Sequence, residues 1–282
     1  MIATVRALLV NAGSVLPASG SEPQILLGHV LQRERAWLIA HDKDEVGEAD
    51  AAVYRALVQR RLAGEPIAYL VGHKEFHGLD FRVTPDVLIP RPETETLVDL
   101  VLEILPRQNS ATVLDLGTGS GCIAVSIAHE RSGAQVTAID ASPGALDLAR
   151  ANAKAHRQEI EFLQGEWYAP VKDRAFDVIV SNPPYVADGD PHLRRGDLRF
   201  EPQTALVAGA DGLGDIHAIV QGAPAHLKAG GWLLFEHGHD QAVACKDLLT
   251  EAGFQELISR ADLAGIERVA GGRLLTSKSA YR

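Results

Sequence analysis

From residue 112 onward, short apolar runs and helical stretches take turns along the chain, and this alternation constrains the fold more than any other feature. Thr112-Val113-Leu114-Asp115 reads as a strand, residues 122–129 as a helix, Gln135-Val136-Thr137-Ala138-Ile139 as a strand and residues 145–155 as a helix. Further strands are expected at Ile160-Glu161-Phe162-Leu163, at Phe176-Asp177-Val178-Ile179-Val180-Ser181, at Trp232-Leu233-Leu234-Phe235-Glu236 and over residues 254–259. A βαβ rhythm of this kind predicts an α/β fold with a mostly parallel, doubly wound sheet. In such sheets ligands bind beyond the carboxyl ends of the strands, so the residues that follow each strand become the candidates for chemistry.

Before residue 65 the texture differs. Apolar residues recur at helical spacing, as in Val5, Leu8, Leu9 and Val15, then Ile25, Leu26 and Val30, then Val53, Leu57, Val58 and Leu62. Residues 1–65 are therefore expected to form a small helical bundle, with Ser21-Glu22-Pro23 starting one helix. Residues 66–90 read as extended: Ile67-Ala68-Tyr69-Leu70-Val71-Gly72, then two short apolar runs separated by His77-Gly78, the pattern of a β-hairpin linker. Pro90, Arg91 and Pro92 end that pattern. Glu93-Thr94-Glu95 then opens a helix with acidic residues at its positive end, at the start of a second domain over residues 91–282.

The glycines after the first strand of the alternating part, in Asp115-Leu116-Gly117-Thr118-Gly119-Ser120-Gly121, permit a tight turn and close approach of the main chain to a ligand. Asp140 ends the next strand, about 20 residues on, where a ribose diol can donate to its carboxylate. Cys122 stands where the third glycine of a Gly-x-Gly-x-x-Gly fingerprint would fall, which weakens a pyrophosphate reading. The carboxylate of Asp115 also suits a positively charged ligand, such as S-adenosylmethionine, better than a phosphate.

A second loop, Asn182-Pro183-Pro184-Tyr185, follows the run that ends at Ser181. Two prolines remove two backbone donors, so this loop offers carbonyl acceptors, and the Asn182 side chain adds another. Two fixed acceptors suit a planar NH2 group held toward an electrophile, as nitrogen methylation requires. A Pro-rich turn capped by Asn is the plain structural alternative.

Other features exclude classes. The formal charge of −10 argues against a protein that wraps nucleic acid. Residues 1–75 carry 8 basic and 9 acidic side chains, leaving 19 and 28 for the remainder, so the acidity lies in the second part, where it reads as plain solubility or as complementarity to a basic protein partner. There is no run of about 18 apolar residues, the N-terminus lacks signal-peptide character, and a cytoplasmic, monomeric protein is expected. Cys122 and Cys245 form no ligand motif, the eleven histidines are scattered, and no metal is called for.

Together these residues place the chain beside a known family. It resembles the N5-glutamine methyltransferases that modify peptide chain release factors, over nearly its whole length. The resemblance rests on Pro66-Ile67-Ala68-Tyr69, Glu75-Phe76, Ile89-Pro90-Arg91-Pro92-Glu93-Thr94-Glu95, Gly117-Thr118-Gly119-Ser120-Gly121 and Asn182-Pro183-Pro184-Tyr185. It continues in Glu201-Pro202 with Ala205-Leu206, Asp211-Gly212-Leu213, and Glu236-His237-Gly238 with Gln241. The resemblance implies a seven-stranded Rossmann-like methyltransferase core dependent on S-adenosylmethionine, its last strand antiparallel near Arg273-Leu274-Leu275-Thr276, and an N-terminal domain that recognises the protein substrate. It also implies that Gly117, Thr118, Gly119, Ser120 and Gly121 line the methionine part of the cofactor, that Asp140 binds the ribose and that Trp167 lies near the adenine. Asn182 then serves cofactor and substrate, while Pro183, Pro184 and Tyr185 hold a release-factor glutamine, that of the Gly-Gly-Gln motif. Glu166 stands before Trp167 where the family more often has Asp.

Alternatives differ in what they would need. An amino-methyltransferase of adenine or another nucleic-acid amine would share Asn182-Pro183-Pro184-Tyr185 but bring a basic face or an added recognition domain. A nicotinamide dehydrogenase would need the longer glycine spacing, and a non-catalytic relative would be expected to lose the acceptor loop or the glycines. Arg91 reads equally as a substrate contact or a helix cap, Trp167 also as core, and Glu236 and His237 as structural or loop-positioning residues.

Overall fold

The computed structural model describes residues 3–16, 20–106 and 110–275. These form two compact units, Met1–His73 with Arg194–Phe200, and Lys74–Leu193 with Glu201–Arg282.

The first unit opens with β1 (Ala3–Thr4) and α1 (Val5–Gly13), followed by α2 (Glu22–Leu31), α3 (Arg35–Ala40), β2 (Glu45–Val46), α4 (Glu48–Leu62) and α5 (Ile67–Val71). Thr4 caps α1, its Oγ1 accepting from the Ala7 N–H at 3.3 Å, and α2 starts at Glu22 with a proline in its first turn. Val5, Leu8, Leu26, Leu27, Leu38, Tyr54, Leu57 and Val58 close the core. Val15, Ile25, Val53 and Leu62, part of the apolar spacing in the sequence, are exposed. On α4 the buried face runs through Ala51, Tyr54 and Val58, and Val53 lies well off it at 100° per residue. Ile67–Val71, expected as extended, is helical and sends Leu70 and Val71 into this core. A five-residue apolar run carries no period that separates helix from strand. Residues 194–200 join this unit, where Arg61 donates to Asp197 at 2.8 Å and, through two nitrogens, to Glu22 at 2.9 and 3.0 Å.

In the second unit, β3 (His73–Phe76) and β4 (Leu79–Arg82) form the expected hairpin. His77 and Gly78 both take left-handed φ values, 51° and 74°, as a two-residue primed turn requires. Phe76 and Phe81 pack edge to face, 6.1 Å apart, in the core of this unit.

The remaining elements are α6 (Pro92–Ile104), β5 (Thr112–Leu116), α7 (Cys122–Glu130), β6 (Gln135–Asp140), α8 (Pro143–Ala155), β7 (Ile160–Gln164), β8 (Phe176–Ser181), α9 (Gly214–His226), β9 (Leu227–Glu236), α10 (Ala242–Glu251), β10 (Gln255–Ala261) and β11 (Glu267–Leu274). The strands make one seven-stranded sheet in the order β10-β11-β9-β8-β5-β6-β7. β11 runs antiparallel to both its neighbours, and β5, β6, β7, β8 and β9 pair in parallel. The antiparallel strand expected near Arg273 is therefore present but starts earlier, and Thr276 lies outside the described residues. Alternate strand residues serve opposite faces: Val113, Val136, Val178 and Leu234 meet α6 and α7, while Leu114, Ile179, Leu233 and Phe235 meet α9 and α10. With both faces covered, the central strands are near-continuously apolar, the pattern visible in their sequence.

The order places a switch point between β5 and β8: from β5 the chain winds outward to β6 and β7, and from β8 to β9 on the other side. Leu116 lies beside Ser181 in register, and the Ser181 hydroxyl donates to the Leu116 carbonyl at 2.7 Å. The glycine turn and the Asn182 loop thus leave the sheet side by side.

Candidate active site

The glycine turn folds back over the end of the sheet, with the Gly117 and Thr118 N–H groups both donating to the Ile139 carbonyl at 2.9 Å. Gly121 has φ +81° and caps α7. A Cβ there would lie 3.0 Å from that of Ala149 on α8, so this glycine lets the two helices meet, although it falls one residue earlier than in a dinucleotide fingerprint. Asp140 at the tip of β6 holds the turn in shape: its Oδ2 accepts from the Gly119 N–H at 2.8 Å and its Oδ1 from the Ser142 N–H at 2.9 Å. Each oxygen keeps a lone pair for a further donor.

A cavity of about 450 Å³ opens over this turn, a size within the range of cofactor sites, roughly 300–1,000 Å³. Gly117, Thr118, Gly119, Ser120, Asp140, Trp167, Asn182 and Pro184 all line it, so both loops singled out from sequence share one wall. Gly121, Pro183 and Tyr185 are not on that wall. Pro183 is buried, and Tyr185 packs partly against the core and turns its hydroxyl inward. Trp167 holds φ +43°, uncommon for a bulky residue, and presents its ring to both the cavity and the core beneath.

Charge in the cavity is one-sided. Asp86, Asp140, Glu166 and Asp215 line it against a single basic residue, Arg91, whose guanidinium is paired with the buried carboxylate of Glu201. Such a lining fits a ligand with net positive charge, as the sulfonium and amino groups of S-adenosylmethionine provide, and disfavours a diphosphate. Arg91 occupies the N-cap position of α6, where its carbonyl accepts from the Thr94 N–H at 3.1 Å, but its side chain makes no cap hydrogen bond; with Glu201, which also accepts from the Ile89 N–H at 3.0 Å, it fastens the entrance of α6.

Asp115, read from sequence as a contact for a cationic ligand, does not line the cavity. It is fully buried beneath the turn, its Oδ2 accepting from the Thr118 hydroxyl at 2.6 Å. Burial, helped by the charge of Asp140, raises its pKa to about 7. A carboxyl whose folded pKa lies above its unfolded value of 3.8 keeps a proton that the unfolded chain has lost, so stability falls as pH rises from about 4 to about 7. The shift corresponds to roughly 4 kcal/mol. Asp115→Asn keeps an acceptor for Thr118 and has no proton to lose, so its unfolding midpoint, relative to the parent protein, is expected to climb between pH 5 and pH 8. Parallel midpoints across that range in thermal melts would refute this assignment.

From Thr94, which also lines the cavity, a layer of polar groups whose roles the sequence did not disclose runs inward. Asn182 Nδ2 donates to Thr94 Oγ1 at 3.1 Å, the Thr94 hydroxyl donates to Glu236 Oε2 at 2.6 Å, and the Tyr185 hydroxyl donates to Glu236 Oε1 at 3.0 Å. Thr94 and Glu236 are both buried. Asn182 Oδ1, by contrast, is shielded from solvent and accepts no hydrogen bond among the described residues. Gln241 fixes the far side of the loop: its Nε2 donates to the carbonyls of Tyr185 at 3.0 Å and Gly212 at 3.3 Å, while its Oε1 accepts from the Gly238 N–H at 2.8 Å. A Cβ on Gly212 would come within 2.4 Å of the Tyr185 carbonyl oxygen. The Val186 N–H donates to the Leu206 carbonyl at 2.8 Å. The scattered motifs around residues 94, 206, 212, 236 and 241 thus converge on the Asn182 loop. His237 sits buried with its Nδ1 on the Gly238 carbonyl, and burial lowers its pKa, which keeps it neutral and structural.

Comparison with known proteins agrees with this geometry. Residues 94–196 match the family described as methyltransferase small domain, and residues 1–72 match that described as PrmC N-terminal domain. A release factor glutamine methyltransferase from Bordetella pertussis is 53% identical over 255 residues, covering 90% of this chain and 94% of that protein. One from Vibrio cholerae is 44% identical over 287 residues, covering 99% of this chain and 100% of that protein. Among solved structures, a Thermus thermophilus 16S rRNA methyltransferase in complex with AdoMet and guanosine aligns with a TM-score of 0.55 at 20% identity. That alignment covers 71% of this chain and 49% of that one, and shows a shared fold. With near-full-length relatives at this identity, and both of its parts matched by family, the chain belongs to the release factor glutamine methyltransferases.

Proposed function

We propose that this chain transfers a methyl group from S-adenosylmethionine to the side-chain amide nitrogen, N5, of the glutamine in the Gly-Gly-Gln motif of peptide chain release factors. The observation that carries the reading is the junction of the glycine turn and the Asn182 loop on one acidic cavity at the switch point of the sheet. When bound, the cofactor supplies an electrophilic methyl group on a sulfonium. The turn residues Gly117 to Ser120 face its methionine part, Asp140 takes the ribose hydroxyls, and Trp167 flanks the adenine.

A carboxamide nitrogen is a poor nucleophile because its lone pair is delocalised into the carbonyl, and no base removes its proton at neutral pH. Positioning therefore carries much of the catalysis. Asn182 Oδ1 and the Pro183 carbonyl accept the two amide hydrogens and favour a more sp3-like nitrogen. Because Oδ1 is shielded before substrate arrives, the glutamine reaches it by parting the cavity wall, and its N–H then satisfies an acceptor that otherwise costs about 1–3 kcal/mol. Pro184 lines the approach, and Tyr185 supports the loop from behind through Glu236.

The N-terminal unit, with Arg194–Phe200, is assigned to recognition of the release factor. The acidic charge of the chain suits a basic protein surface rather than phosphates. No described helix is long and apolar enough to cross a membrane; a monomer acting in the cytoplasm, without stable nucleic-acid binding, completes the proposal. Incubation with methyl-labelled S-adenosylmethionine and either a release factor or duplex DNA, followed by mass spectrometry, tests it. Label on the glutamine N5 is expected, and label confined to DNA would refute the reading.

A further inference from the structure

Glu236 ends β9 and Thr94 stands in the first turn of α6, far apart in sequence, yet they meet beside Asn182, with Thr94 on the cavity wall and Glu236 beneath it. Proton counting gives the cluster a direction. Both oxygens of Glu236 accept, Oε2 taking the single hydroxyl proton of Thr94 at 2.6 Å and Oε1 that of Tyr185 at 3.0 Å. Thr94 Oγ1 then has only lone pairs to offer, and its remaining neighbour must donate. The amide group of Asn182 that faces Thr94 must therefore be Nδ2, which leaves Oδ1 on the other side without a partner. Were the Thr94 hydroxyl absent, nothing described would oppose the reverse rotamer, with Nδ2 toward the substrate.

We infer that Glu236, acting through the hydroxyl of Thr94, locks the Asn182 carboxamide with its oxygen toward the substrate, so that the site takes an N–H donor such as a carboxamide and rejects a carboxylate. Thr94 and Glu236 are thus positioning residues that set the choice between glutamine and glutamate, an inference that rests on the proposed seating of the target amide on Asn182. The charged and titratable groups around Glu236 are Arg268, Glu93, Cys122 and Tyr185. Burial, helped by Glu93, raises its pKa, and the two hydroxyl donors with Arg268 offset only part of that rise.

Thr94→Val keeps the shape of the side chain and removes the hydroxyl; Thr94→Ala removes it with less bulk and serves if the valine variant misfolds. For either, the single-turnover rate on a release factor is expected to fall by about 10–100-fold, with the S-adenosylmethionine Kd changed by less than about 3-fold, and Thr94→Ser to recover most of the rate. The decisive readout is binding of a release factor with its target glutamine against the same factor carrying glutamate there. The parent protein should prefer glutamine, and loss of the Thr94 hydroxyl should shrink that preference by about tenfold as Asn182 turns over. A purely structural role for Thr94 would leave the ratio unchanged. An unchanged ratio, or a rate within twofold of the parent, overturns the inference provided Asn182→Ala is inactive; an active Asn182→Ala would instead refute the seating of the amide on which it rests.

Discussion

Asn182→Ala is expected to lower kcat for methyl transfer to a release factor by about 10²–10³-fold, the scale on which removal of one preorganised polar group from a reacting centre acts. Three losses combine. The acceptor that orients the amide nitrogen disappears, the brace between the loop and Thr94 goes with it, and the wall of the cavity recedes. Cofactor binding should weaken only a few-fold, because Asn182 is one of many residues that line the cavity, among them the glycine turn, Asp140 and Trp167. Stopped single-turnover assays with cofactor affinity measured alongside separate the two effects. Near-normal turnover would remove Asn182 from the chemistry, and an equal collapse of cofactor affinity would make it a binding residue.

Asp140→Ala is expected to raise the cofactor Kd by tenfold or more. The geometry makes the site more demanding than a ribose contact alone. Both carboxylate oxygens already accept backbone N–H groups, from Gly119 and Ser142, so the side chain shapes the glycine turn while reaching for the ligand. Asp140→Asn retains one acceptor but aims an NH2 group at one of those two N–H donors. It should therefore bind cofactor about as poorly as the alanine variant, although it is the more conservative change. Calorimetry decides: affinity preserved in Asp140→Asn would mean that the turn does not depend on two acceptors, and affinity preserved in both would place the ribose elsewhere.

Much of the fold is legible in the sequence, for a physical reason that differs from element to element. The central strands are buried on both faces, so they stand out as apolar runs, and the glycines and Asn182 loop follow them directly. The hairpin was marked by His77-Gly78, whose left-handed conformations are a local requirement. Ile67–Val71 reads as extended in the sequence because its apolar side chains serve a helix too short to show a period. For Asp115 the sequence places a carboxylate near a turn without saying above or below it, and the fold buries it below. The layer formed by Thr94, Glu236 and Gln241 could not be read at all from spacing. Its contacts join α6 to β9 and the β8 loop to the start of α10, and only the recurrence of those residues in the family pattern hinted that they belong together.

The central claim is that the target carboxamide is gripped by oxygen acceptors of the Asn182 loop. A crystal structure of the protein with S-adenosylhomocysteine and a release factor measures this directly. The account predicts Asn182 Oδ1 and the Pro183 carbonyl within hydrogen-bonding distance of the glutamine nitrogen, with Nδ2 still on Thr94. A glutamine side chain seated elsewhere, with Oδ1 still enclosed, would contradict it.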